Sequence, residues 1–186
     1  RHAARPADAA IKTKLEKAER DYVEYEIGEL KLREEAYPTD LRRKFNLGEA
    51  YYKIGMVEDS IALFQKSQSD PRLKSSSSLY LGRAFFKMGW IDETIVTFRG
   101  ALEGRDLLPE MVLDIRYELM LALKEKAAQE RNLASAEEAE KIASSIAIQQ
   151  ITYKDIRQQR DELKKLIAEL RSGGTAPSAP PASSEA

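Results

Sequence analysis

The sequence predicts an all-α chain: an α-solenoid of helix–turn–helix repeats with flanking capping helices. Three observations carry that expectation. Leu47-Gly48 recurs as Leu81-Gly82, a shift of 34, and at the same shift Gly55, Ile61 and Phe64 become Gly89, Ile95 and Phe98. Within each copy the apolar residues fall at helical spacing, as Leu47, Gly48 and Tyr51 do before the turn and Val57, Ile61 and Phe64 after it. Glycine and proline sit where such a hairpin must turn or stop, with Gly55 and Gly89 after the first helices and Pro71 closing the first copy.

Each element follows from its residues. Gly48 removes a side chain where a neighbouring helix has to approach closely, at a propensity cost of about 1 kcal/mol against Ala. The second copy repeats the grammar, with Leu81, Gly82 and Phe85, then Gly89, then Ile91, Ile95, Phe98 and Ala101. A weaker third copy comes next, with Leu119 in the place of Leu81, a shift of 38 that implies an insertion within residues 103–110. Ser135 with Glu138 reads as a capping box for its second helix, whose stripe is Ala139, Ala143 and Ile146. A final helix over about 153–171 carries Ile156, Leu163, Leu166, Ile167 and Leu170 on one face and charge on the other, which suits a solenoid cap.

Upstream, residues from about Asp8 to Ala36 form a long charged helix with apolar positions at Leu15, Tyr22, Ile27, Leu30 and Leu32. It reads either as the second half of a degenerate preceding unit or as a coiled-coil-like arm, although the positions are irregular for a heptad. Tyr37-Pro38 ends it, and Thr39 is placed to cap the next helix. The expected organisation is thus a disordered N-terminus (1–7), a long helix (8–38), two repeats (41–74 and 75–108), a degenerate third (109–150), a capping helix (152–171) and a Ser/Pro/Ala tail (172–186). The tail lacks large apolar residues, so it cannot offset its ordering entropy.

These residues resemble the tetratricopeptide repeat, or TPR, whose pattern is large-x2-Leu-Gly-x2-Tyr, then small-x3-Phe, then Pro. The chain has Lys44-x2-Leu47-Gly48-x2-Tyr51, Ser60-x3-Phe64 and Pro71, then Ser78-x2-Leu81-Gly82-x2-Phe85 and Thr94-x3-Phe98. It departs from the pattern at Lys44 and Ser78, where an aromatic is usual, and no proline closes the second copy. The approach to the last helix, Tyr153-Lys154-Asp155-Ile156, resembles the segment after the last repeat in bacterial-type TPR proteins. The resemblance implies a right-handed solenoid that binds other proteins.

It also implies a site. In this family repeat positions 2, 5, 9, 12 and 13 line a concave groove, which here means Arg42, Phe45, Glu49, Tyr52 and Lys53, then Ser76, Leu79, Arg83, Phe86 and Lys87. The third copy contributes Asp114, Tyr117, Leu121, Lys124 and Glu125 in a looser register. Aromatic and leucine anchors with nearby cations suit an acidic, partly hydrophobic peptide or helix. The same aromatics could equally pack against a helix of this chain. The family's clamp for acidic chaperone tails needs Lys, Asn and Asn where this chain has Phe45, Glu49 and Tyr80, so that binding is not expected.

Composition excludes several classes of chemistry. There is no cysteine, and the one histidine is His2, so thiol catalysis and a structural zinc site are not expected. Neither a phosphate loop nor a nucleophile elbow occurs, and Gly173-Gly174 lies in the tail. Acidic runs such as Glu137, Glu138 and Glu140 suit a solvated helix face, so the expectation is a non-enzyme with no cofactor and no metal. A net charge of −1 offers no field for nucleic acid, despite the Arg42-Arg43-Lys44 cluster. No apolar run reaches the roughly 20 residues of a membrane span, and cytoplasm is the default compartment. Alternatives from other classes are a docking region of a larger enzyme and a self-assembling structural module.

Overall fold

The computed structural model describes residues 6–104 and 107–173. The expectations for His2 and for most of the tail lie outside these residues, as does part of the expected insertion. Eight helices make up the described chain, with no strand among the described residues. They are α1 (Pro6–Ala36), α2 (Leu41–Lys53), α3 (Val57–Ser67), α4 (Lys74–Lys87), α5 (Ile91–Leu102), α6 (Pro109–Glu130), α7 (Leu133–Gln149) and α8 (Ile156–Arg171). This is an all-α helical-repeat fold of the solenoid class.

The chain divides after Gly89 into two compact units, and the division falls inside the second 34-residue copy. In the first unit α1 packs on α2, α2 on α3 and α4, and α3 on α4. The core is Phe45, Ile61, Phe64, Leu73, Leu81, Ala84 and Phe85, with Leu41, Tyr52, Val57 and Tyr80 against it. Gly48 leaves room for α3: a Cβ built there would lie 2.9 Å from the Phe64 ring and 3.2 Å from the Leu63 Cβ. The α3–α4 seam is fastened by small hydroxyls. Ser67 and Ser77 share a buried 2.7 Å hydrogen bond, and the Gln68 side-chain amide donates to Ser78 at 2.9 Å.

In the second unit α5 packs on α6, α6 on α7 and α7 on α8. Phe98, Ile115, Met120, Leu123, Ile146, Ile156 and Leu163 are fully enclosed. Ala122, Ala127, Ala136, Ala139 and Ala143 are also fully buried. With so little side chain, they allow the helix backbones to approach closely.

Two capping expectations are corrected. Asp40, not Thr39, is the N-cap of α2, and its carboxylate accepts from the backbone N–H groups of Arg42 and Arg43 at 3.0 and 3.3 Å. A carboxylate answers both the orphan donors and the helix dipole, which a threonine hydroxyl does less well. Asn132, not Ser135, caps α7, its side-chain oxygen accepting from the Ser135 N–H at 3.1 Å. Ser135 is instead the third residue of that helix, and α8 begins at Ile156, three residues later than the periodicity suggests.

The turns close in two ways. Gly55 and Gly89 take φ of 88° and 75°, which glycine does without steric cost. The turns before α7 and α8 place Arg131 and Lys154 at φ of 53° and 41°, where a side chain is strained.

Candidate functional site

In the first unit several aromatic and cationic side chains of α2, α3 and α4 gather around Tyr80, a residue that the repeat pattern does not single out. Tyr80 stacks on Phe64 at 5.3 Å and meets Phe45 and Tyr52 edge-on, each at 5.7 Å. Its hydroxyl is engaged by Glu49, and the Arg83 guanidinium lies 5.8 Å from its ring. Lys87 Nζ sits 3.9 Å over the Tyr52 ring. Cation and aromatic therefore alternate across the face, Arg83 on Tyr80 and Lys87 on Tyr52.

The predicted residues are distributed unevenly over this surface. Phe45 and Leu79 are buried in the unit's own interior. Glu49, Tyr52, Arg83, Phe86 and Ser76 are half-buried, while Arg42, Lys53 and Lys87 are exposed. The sequence signal for Tyr80 is its spacing from Arg83, since residues three apart share a helix face and a tyrosine invites a guanidinium there. Beside Arg42, a notch of about 220 Å³ is lined by Leu30, Arg33, Asp40, Arg43 and Asn46 as well.

Burial, and then the hydrogen bond to Glu49, push the Tyr80 phenol up to about 12. The neutral phenol is thus favoured by folding. Its contribution to stability is fully present below the ordinary tyrosine value near 10 and is lost as pH rises through about 12. An ultraviolet titration of the intact chain is expected to show late-ionising tyrosines, and Tyr80→Phe is expected to reduce that late phase by one tyrosine while Tyr117 keeps the rest. An unchanged titration in that variant would contradict the Glu49 contact.

In the second unit the corresponding positions of α6 are taken up by the chain's own C-terminal segment. Asp114 accepts from the Tyr153 hydroxyl at 2.5 Å and from Lys154 Nζ at 2.9 Å. Tyr117 is buried; its hydroxyl donates to Asp155, and its ring lies edge-on to Tyr153 at 5.7 Å with Lys154 Nζ 4.4 Å from its centroid. Lys124 donates to Gln159 and Glu162 of α8. Burial and the bond to Asp155 raise the Tyr117 phenol, while the same bond, with one from Gln159, lowers the Asp155 carboxyl. Leu121 is half-buried and Glu125 is exposed, where it accepts from Gln129. The sequence signal for this pairing is Tyr153-Lys154-Asp155, which supplies a donor, a cation and an acceptor in the order that Asp114, Glu118 and Tyr117 require.

Among the described residues no group of three or more His, Asp or Glu side chains is arranged to hold a metal. No helix among them is long and apolar enough to cross a membrane.

The architecture has counterparts among solved structures. A Podosopora anserina putative kinesin light chain with nearly identical TPR-like repeats superposes with a TM-score of 0.55 at 18% identity, over 91% of this chain and 96% of that one. Two crystal structures of MamA each superpose with a TM-score of 0.53, at 19% and 18% identity. They cover 84% and 89% of this chain and 91% and 93% of theirs. At such identities the likeness is one of fold: the chain has the TPR-like helical-repeat fold. No protein-family model matches the chain, and a search of curated proteins returns no match.

Proposed function

We propose that the chain is a non-catalytic scaffold and that its first unit holds an acidic, partly hydrophobic peptide or helix across α2 and α4. The observation that carries this reading is the alternation of Arg83 over Tyr80 and Lys87 over Tyr52 on one face. An aromatic wall buries apolar side chains of a ligand, and cations held on that wall pair with carboxylates between them. Arg42, with the notch beside it, and Lys53 extend the positive character along α2. Phe45 acts from beneath, its ring set edge-on to Tyr80, and half-buried Phe86 is a further apolar anchor on α4. The reading carries to the second unit only through Tyr117, whose partners are already supplied by the segment before α8.

A panel of labelled peptides that share an amphipathic pattern and differ in charge tests this reading. The acidic members are expected to bind best, and the Phe86→Ala, Arg83→Glu double variant is expected to lose at least ten-fold in affinity, about 1.4 kcal/mol. Equal binding of acidic and basic members, or unchanged binding by a variant with native helix content, would overturn it.

A further inference from the structure

In the second unit a cleft of about 580 Å³ runs between α7 and α8. Glu137, Glu140 and Lys141 line it from α7, and Lys164, Ile167, Ala168 and Arg171 from α8. Its two carboxylates are already engaged: Glu137 pairs with Arg171 at 2.7 Å, and Glu140 accepts from the Ser144 hydroxyl at 2.7 Å. Lys141 and Lys164 are exposed, and neither has an ion pair among the described residues. The positive wall continues past the cleft. Arg157, Arg160, Lys164, Ile167 and Arg171 follow one another in steps of three and four, so they share one flank of α8 over about 21 Å. Arg157 is exposed, and Arg160 is half-buried with its Nε enclosed and lacking an acceptor. The other charges of the two helices point elsewhere. Glu138 pairs with Arg99 of α5 and Glu162 with Lys124 of α6, Lys165 and Glu169 lie farther round α8, and exposed Asp161 borders the stripe.

We infer that this cleft, with the stripe beside it, is a second docking site, and that it takes an acidic segment of a partner protein. Charge selects that occupant. The chain as a whole has a net charge of −1. Here Lys141, Arg157, Arg160, Lys164 and Arg171 outnumber the carboxylates of Glu137, Glu140 and Asp161, of which the first two already have partners. Each wall presents an unpaired lysine, so a carboxylate that enters between α7 and α8 meets opposite charge on both sides. Ile167 and Ala168 give an aliphatic side chain of the same segment a surface to cover. A nucleic acid fits less well. None of the residues that line the cleft is aromatic, so a base has nothing to stack on, and Glu137 and Glu140 oppose an evenly charged backbone. The site is also separate from the α6 surface that the C-terminal segment covers. Gln159 and Glu162, which reach Lys124 of α6, lie on the other flank of α8.

The test uses the full chain, which lacks cysteine, so Ala168→Cys at the exposed edge of the cleft carries a single fluorophore that reads this site. An unlabelled helical peptide rich in Glu and Leu is expected to shift the fluorescence saturably, and to bind more weakly as salt is raised. The Lys141→Glu, Lys164→Glu variant is expected to lose about ten-fold or more in affinity, because like charges then face the ligand. Both lysines are exposed, so helix content is expected to stay native. The Phe86→Ala, Arg83→Glu variant is expected to give the parent's response at Ala168→Cys. No saturable shift at millimolar peptide, an affinity unchanged by the two glutamates, or equal binding of a peptide rich in Lys and Leu would each overturn the inference. So would tighter binding of an oligothymidylate or of phosphatidylglycerol vesicles. Peptide binding by α2 and α4 is measured without this label, so either reading can fail alone.

Discussion

Phe64→Ala is expected to destabilise the first unit by about 3–5 kcal/mol, the largest loss from any single truncation in it. The side chain is fully buried, and three contacts converge on it: Tyr80 stacked at 5.3 Å, Phe45 tilted at 5.8 Å, and the bare backbone of Gly48 against its ring edge. Truncation removes the transfer free energy of the ring and leaves a cavity that cannot collapse, since two of its walls are aromatics fixed by other partners. The damage reaches the face proposed to take a peptide, because Tyr80 loses the ring stacked on it. Urea unfolding monitored by circular dichroism is the measurement. A midpoint shift worth less than about 1 kcal/mol would show that the cavity relaxes and that these contacts do not hold its walls in place.

Gly48→Val is expected to cost about 3 kcal/mol by overpacking rather than by cavity. A single Cβ at Gly48 would already meet the Phe64 ring at 2.9 Å and the Leu63 Cβ at 3.2 Å. Neither neighbour moves freely: Phe64 is enclosed, and a Cβ moves only with its helix. The valine methyls would therefore have to push α3 away from α2. Gly100→Ala supplies the contrast. A Cβ there meets nothing within 4 Å in the interior of α5, so it is expected to stabilise by about 0.5–1 kcal/mol through helix propensity alone. If thermal melts ranked the two substitutions the other way, the close α2–α3 approach would be wrong.

Both effects rest on residues that the sequence marks. The 34-residue recurrence places Gly48 and Phe64 on facing stripes, and an aperiodic sequence would hide them. Leu47, Leu81, Phe64 and Phe98 are all buried, as a repeat core demands. The features that sequence reasoning misses have physical reasons. In α1 the inward Ile27 and Leu30 and the outward Leu15, Tyr22 and Leu32 overlay each other along the chain. Two stripes about half a turn apart cancel in any single-face pattern, so neither is visible. The repeat pattern marks Tyr80 only as a place where a chaperone-clamp residue is absent, because its importance comes from three rings that two other helices bring to it. Asp114 and Tyr117 look open to a ligand in the sequence because nothing local announces that residues some forty positions later will meet them. The caps at Asp40 and Asn132 escape notice where two capable residues lie close together and only backbone geometry chooses between them.

The way the turns are closed also sets where this chain tolerates rearrangement by duplication. Gly55 and Gly89 adopt their positive φ unaided, so a 34-residue module copied from that part of the gene would carry a self-sufficient joint with it. The joint before α8 is different. Lys154 is held in a left-handed conformation while its side chain reaches back to Asp114 and Tyr117. A module copied from there would leave its counterparts behind and keep only the strain. The front of the chain is thus built of interchangeable parts, and the back is a fitted one whose α6 and α8 can only be inherited together.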